Sequence, residues 1–204
     1  MREILKTWFG DDLYRHDWLR YPLPPEKYYV RPGICIHGHF KISRQCGVQG
    51  CYPEVDQFIT VVREPFAILV ARYVNNQSLA VNGVLLGGGR YEEVPEDLNE
   101  FLEQEIYRPD YRPNILDFLP RTMTMENYKD IIHRYFIYIG VLEDLQFSVD
   151  RIADRLGFSS CAVPPSRVPN RIAEADPRLR DAFIKAHPLE YAIYSHIADN
   201  YKKW

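Results

Sequence analysis

Short apolar runs alternate with amphipathic stretches along the chain, and this pattern predicts alternating strands and helices. Runs rich in β-branched and aromatic residues predict buried strands at residues 33–36, 57–62 and 135–141. Buried strands that alternate with helices are typical of a parallel sheet covered on both faces. The pattern therefore predicts an α/β fold with three layers, helices on either side of one parallel sheet.

Apolar residues at helical spacing predict the other regular elements, and prolines and glycines mark their ends. The predicted helices cover residues 1–14, 66–75, 94–106, 125–134 and 149–156, and a last helical region follows residue 176. Pro65 suits a first helical turn, Gly157 suits a helix end, and Pro188 predicts a break in the last region. Residues 109–120 are predicted to be a loop.

Composition narrows the classes of protein that the chain can belong to. Its 204 residues are 46% hydrophobic, which is enough for one core, so we predict a single domain over residues 1–204. The net charge of −3 offers no excess of cations for a polyphosphate backbone, so nucleic acid is not an expected partner. No apolar run approaches the roughly 20 residues of a membrane span, and no secretory signal opens the chain. We expect a cytoplasmic chain with reduced thiols.

Two histidines flank a glycine directly after the first predicted strand, at His37 and His39. Open parallel sheets place their ligand sites at the carboxyl ends of strands. A neutral imidazole is the usual base for removing a proton from a hydroxyl near pH 7. The residue types alone leave open a second possibility, in which one histidine has a capping or core role and the other is exposed.

Arg63 ends the second predicted strand, immediately before a predicted helix. A guanidinium beside a helix N-terminus suits a phosphate dianion, which it binds through paired hydrogen bonds. An ion pair between Arg63 and Glu64 is the alternative that the residues leave open. Because both histidines and Arg63 follow parallel strands, we expect them to share one sheet edge, with the first two predicted strands adjacent.

Residues 35–51 also contain the ligand types of a zinc site, namely cysteines and histidines at positions 35, 37, 39, 46 and 51. Their spacing matches none of the common paired zinc motifs. Positions 35, 37 and 39 would also crowd three ligands onto one face of a strand. We therefore predict no metal site.

These segments, in this order, resemble the sulfotransferases that use 3′-phosphoadenosine 5′-phosphosulfate, especially the carbohydrate group that includes heparan sulfate 2-O-sulfotransferase. The specific segments are HGHF at 37–40 and FITVVREPFAILVARY at 58–73. The strand at 135–141, which leads into a Gly-x-x-Glu turn at 140–143, is similar to a family feature. The acidic and aromatic segment at 189–194 is similar to the helix near the C-terminus of the family.

The resemblance implies a nucleotide-kinase-like core of the P-loop type. It also implies transfer of a sulfuryl group from 3′-phosphoadenosine 5′-phosphosulfate to a hydroxyl group of a carbohydrate. By the same resemblance, Arg63 would contact the 3′-phosphate of the donor. His39 would be the base that deprotonates the acceptor hydroxyl, and His37 would assist it.

The chain departs from the family pattern at two places. The strand and the phosphosulfate-binding loop of the family would precede the helix that begins near Met1, and the chain as given has no such loop. Ala71, eight residues after Arg63, stands where the family usually has a serine that binds the 3′-phosphate. We therefore expect the chain as given to bind 3′-phosphoadenosine 5′-phosphate weakly. Either an N-terminal segment, which could carry a membrane anchor, is left out, or the chain is a non-catalytic relative that acts as a binding protein.

Overall fold

A computed structural model describes residues 1–16, 30–38, 40–42, 47–81, 95–111, 114–164 and 175–204. Within these ranges the strands are β1 (Leu13–His16), β2 (Cys35–Gly38), β3 (Phe58–Val62) and β4 (Phe136–Val141). The helices in the same ranges are α1 (Arg2–Phe9), α2 (Val48–Cys51), α3 (Pro65–Val81), α4 (Leu98–Ile106), α5 (Asn114–Phe118), α6 (Tyr128–Tyr135), α7 (Leu145–Leu156), α8 (Pro177–Ala186) and α9 (Pro188–Asn200).

The strands form two separate parallel pairs, β1 with β2 and β3 with β4. No backbone ladder joins the two pairs within the described ranges, so the expectation that β2 would lie next to β3 is wrong for these residues. Instead β2 pairs with β1, a strand that the sequence analysis assigned to a helix. That helix ends early because Gly10 adopts φ 52°, a conformation that favours glycine, and the chain is extended over Leu13–His16.

Local signals placed most of the other boundaries correctly. Gly157 ends α7 in the left-handed conformation with φ 75°, and Pro65 is the first residue of α3. The Asp176 carboxylate accepts the N–H of Arg178 at 2.9 Å and caps α8, which breaks before Pro188 as predicted. Residues 109–120, predicted to be a loop, contain the short helix α5.

The buried apolar side chains form two clusters. In the first, α3, α4 and α8 pack together around side chains that are fully buried, namely Leu69, Leu102 and Phe183. In the second, β3 and β4 pack against α5, α6 and α9, with Ile139, Ile193 and Ile197 fully buried. Each such side chain stabilises the fold by about 1.5 to 3 kcal/mol relative to an exposed one. Helix α9 contributes to both clusters and so passes close to the strand ends.

The fold is mixed α/β, with short parallel sheets and many helices, which confirms the predicted class. No helix among the described residues is long and apolar enough to cross a membrane.

Candidate functional site

The carboxyl ends of β3 and β4 meet at one edge, because the two strands are parallel. Arg63 and Glu64 follow β3, and Glu143 lies in a short 3-10 turn that follows β4. The Oε1 atom of Glu143 accepts the backbone N–H of Glu64 at 2.8 Å. This hydrogen bond ties the two strand ends together at the start of α3.

The carboxylate of Glu64 is engaged on both oxygens. Its Oε2 atom accepts the N–H of Ala67 at 2.6 Å, which caps the first turn of α3. Its Oε1 atom accepts hydrogen bonds from the Tyr191 hydroxyl and from Nε of Arg180, the latter at 3.2 Å. The Glu64 side chain is only 14% exposed. The ion pair between Arg63 and Glu64 that the sequence left open is therefore not formed.

Arg63 itself is half-buried and forms no hydrogen bond or ion pair with any residue in the described ranges. The residue stands two positions before the first residue of α3, and the five N–H donors of its guanidinium have no partner among the described residues. Planar donors in that position match the oxygens of a phosphate or sulfate group. The geometry at this edge thus fits an anion held by Arg63.

Two tyrosines of α9, Tyr191 and Tyr194, lie near the carboxylates at the ends of β3 and β4. Burial, reinforced by the nearby Glu64 carboxylate, raises the pKa of Tyr191 well above its ordinary value. Burial, together with the charges of Glu143 and Glu64, raises the pKa of Tyr194 to about 12. Both hydroxyls are protonated near neutral pH and carry no charge that would repel an anion, and that of Tyr191 donates to Glu64.

The second part of the predicted site lies where β1 and β2 end. His37 is half-buried within β2, and His39 lies outside the described residues. A buried histidine that the sequence analysis missed, His16, ends β1 directly opposite Gly38. Its Nδ1 atom lies 3.3 Å from the hydroxyl oxygen of Tyr52. Neither His16 nor Tyr52 belongs to a recognisable motif, and the first residues of β1 continue the apolar spacing that predicts a helix over residues 1–14.

Of the two positions that the family resemblance assigns to the 3′-phosphate, 63 and 71, only position 63 carries a side chain that can bind an anion. Arg63 fits an anion, whereas the half-buried Ala71 in α3 presents a methyl group that cannot donate a hydrogen bond. The adjacent Arg72 does not replace it, because its Nη1 atom is ion-paired with Glu105 at 2.6 Å. The donor would therefore be held at this helix by Arg63 without help from position 71.

Burial raises the pKa of the Cys35 thiol to about 11, so this cysteine is protonated near neutral pH.

Arg63 and His37 belong to different strand pairs, and no hydrogen bond or ion pair between them occurs in the described part of the chain. That Arg63, His37 and His39 lie together in one site stays a prediction.

Comparison of the chain with protein-family models, with curated proteins and with solved structures finds no match. Function is therefore inferred from the residues and from their geometry.

Proposed function

We propose that the chain is a sulfotransferase that moves a sulfuryl group from 3′-phosphoadenosine 5′-phosphosulfate to a hydroxyl of a carbohydrate, on a three-layer core of the sulfotransferase type. The main support for the proposal is that the Arg63 side chain has no hydrogen-bond or ion-pair partner among the described residues. This half-buried guanidinium has no partner among the described residues, although the acid beside it in sequence, Glu64, is bound to Tyr191 and Arg180. An arginine with no partner at a strand end is the expected arrangement for an anion ligand.

The reaction needs positioning, neutralisation of charge and removal of one proton. The acceptor oxygen forms a bond to sulfur while the bond from sulfur to the 5′-phosphate oxygen breaks, by analogy with phosphoryl transfer. The leaving nucleotide carries away the bonding electron pair. In this proposal His39 takes the acceptor proton, His37 orients that imidazole, and Arg63 binds the 3′-phosphate in a bidentate manner.

Donor binding tests the role of Arg63. Calorimetry with 3′-phosphoadenosine 5′-phosphate should show weaker binding by about 10- to 100-fold in Arg63→Ala, since a hydrogen bond to a charged group contributes about 1.5 to 3 kcal/mol. Arg63→Lys should be intermediate, because an ammonium keeps the charge and loses the paired geometry. Arg178→Ala is the matched control, since this arginine is 90% exposed on α8 and should leave binding unchanged. Equal affinity in wild type and Arg63→Ala would contradict the proposed role.

Transfer itself is measured with a sulfur-labelled donor and a panel of polysaccharide acceptors. His39→Ala should lower turnover by about 100- to 10,000-fold while donor affinity stays the same, since a general base acts only on the proton in flight. His37→Ala should fall between that variant and wild type. If His39→Ala turns over as fast as wild type, this residue is not the base.

Ala71 specifically favours a second candidate function, a non-catalytic relative that binds a sugar, a nucleotide or a protein partner. A helix position without a hydroxyl removes one donor ligand from the proposed site. Binding of the nucleotide that depends on Arg63, without transfer to any acceptor tested, would favour this alternative.

A further inference from the structure

The carboxyl ends of β1 and β2 approach each other unusually closely at His16 and Gly38. These two residues are register partners in the parallel pair. A Cβ atom on Gly38 would lie 2.7 Å from the Cβ atom of His16 and 3.1 Å from its carbonyl oxygen, closer than packed atoms tolerate. Only glycine therefore lets the backbone that follows His37 lie against His16.

The His16 ring is fixed by two neighbouring aromatic side chains. Tyr52, itself 3% exposed, places its hydroxyl oxygen 3.3 Å from Nδ1 of the ring. The Phe40 ring lies 4.6 Å from the imidazole, centroid to centroid, and meets the Tyr52 ring edge-on at 5.7 Å. We call His16, Phe40 and Tyr52 the His16 cluster. Because His16 is 4% exposed and hydrogen-bonded, its ring has little room for another rotamer.

The His16 cluster contacts the chain on both sides of the proposed base. Gly38 packs on the Cβ atom of His16, and Phe40 packs on its ring. These two residues flank position 39 in the sequence. A displacement of about 1 Å in a reacting group is enough to lower a rate by roughly 100-fold. A restraint on residues 38 and 40 therefore affects the rate at which a base at position 39 removes the proton.

We propose that His16 is a positioning residue, which Tyr52 holds in place and which fixes Gly38 and Phe40, on either side of position 39, for proton abstraction. This inference rests on the proposed sulfuryl transfer, since it assigns to His16 the support of the imidazole that takes the proton. His16 does not touch substrate in this proposal and takes up no proton from it. Its contribution is made through Gly38 and Phe40.

The test variant is Tyr52→Phe, which removes one hydroxyl and keeps the ring. Its matched control is Tyr138→Phe, because Tyr138 is 1% exposed and its hydroxyl also forms a hydrogen bond, to the carbonyl oxygen of Tyr201 at 3.0 Å. Nuclear magnetic resonance of the full chain follows the amides of Gly38 and Phe40 and the imidazole titrations of His37 and His39. Turnover is measured against pH, with donor affinity alongside.

Tyr52→Phe should move both amide resonances and shift the midpoints of the imidazole titrations. It should also lower turnover by about 10- to 100-fold and displace the acid limb of the pH profile, with donor affinity within about twofold of wild type. His16→Phe, which keeps an aromatic ring of slightly larger size and removes both ring nitrogens, should reproduce these changes. Tyr138→Phe should show none of them, although it loses a comparable hydrogen bond.

Two failures can be told apart. If Tyr52→Phe and His16→Phe leave the resonances of residues 37–40 as they are in Tyr138→Phe, the positioning role is wrong, whatever the activity. If those resonances move but the wild-type chain transfers no sulfuryl group to any acceptor, the proposed function fails while the restraint of residues 37–40 by His16 stands.

Discussion

Glu64 organises the edge at which β3 and β4 end. One carboxylate oxygen caps α3 at Ala67, and the other accepts hydrogen bonds from Tyr191 and Arg180. The contact with Arg180 contributes least, because that side chain is 50% exposed and water screens the ion pair. The cap and the tyrosine hydrogen bond therefore account for most of the stabilisation by Glu64.

Replacing Glu64 with alanine tests this role. The free energy of unfolding should fall by about 1.5 to 3 kcal/mol, since the substitution removes a helix cap and leaves the partly buried Tyr191 hydroxyl without its acceptor. Urea unfolding measures the change. Glu103→Ala, at an exposed position of α4, should change stability by no more than about 0.5 kcal/mol. Equal losses in the two variants would contradict the assignment.

Local sequence signals predicted where Arg63 would lie but not what Glu64 would contact. A strand followed by a proline at a helix start is a local pattern, so Arg63 stands at the strand end as expected. The partners of Glu64 come from α8 and α9, more than 100 residues away in sequence, and no local pattern marks them. His16 and Tyr52 were missed for the same reason, since their contact depends on how distant segments pack.

Helix α7 packs directly on β4, and a glycine makes this contact possible. A Cβ atom on Gly140 would lie 2.6 Å from Oγ of Ser148 and would also collide with the Cβ atom of that serine. Ser148 is fully buried, and its hydroxyl both accepts the N–H and donates to the carbonyl oxygen of Val141, each at 2.9 Å. Gly140, which the sequence assigned to a turn motif, is thus required by packing.

A double-mutant cycle tests the contact between the strand and the helix. Gly140→Ala should lower the free energy of unfolding by about 1 to 3 kcal/mol, because the added methyl group forces α7 away from β4. Gly50→Ala is the control, since nothing lies within 4 Å of the added atom. Combining Gly140→Ala with Ser148→Gly should cost less than the sum of the single changes, because the second substitution removes the colliding atoms. Strict additivity would show that the two residues do not determine the spacing.

Elements with strong local patterns were predicted, and weak ones were not. The strands β3 and β4 combine β-branched and aromatic residues, and both were found within one residue of their ends. The strand β1 begins within residues whose apolar spacing predicts a helix, and the helix α5 has five residues, too few to display a helical period. Their formation depends on tertiary contacts, such as the pairing of β1 with β2.

At the scale of the whole molecule, sequence predicted the class and the parallel direction of the strands but not how the strands combine. Periodicity shows which residues of a strand are buried, and it carries little information on which strand lies alongside. The described strands form two pairs, where one sheet was expected. The clusters around α3 and around β4 are joined through α9, whose residues contribute to both.

Two histidines, His196 within α9 and His187 at its N-terminus, are expected to make the fold sensitive to acid. The Nε2 atoms of His196 and His187 are buried without a hydrogen-bond partner in the part of the chain that the structure describes. Burial lowers the pKa of His196, and the nearby His133 and Lys129 add to the shift, while Asp199 opposes it. Burial likewise lowers the pKa of His187, which packs 4.1 Å from the Tyr111 ring and whose hydrogen bond to the Ile106 backbone opposes the shift.

The chain should therefore lose stability as the pH falls through and below about 6.5, the ordinary pKa of histidine. In that range the unfolded state binds more protons than the folded state does, because the pKa values of both histidines are lowered in the folded state. Acid therefore favours unfolding. Above about pH 7 both histidines are neutral in either state, and stability no longer depends on their titration. Urea unfolding at pH 7.5, 6.5 and 5.5 avoids most carboxyl titration. The double variant His187→Gln/His196→Gln should show a shallower loss over this interval than wild type, because glutamine takes up no proton. Parallel pH dependences in the two proteins would show that other groups cause the acid sensitivity.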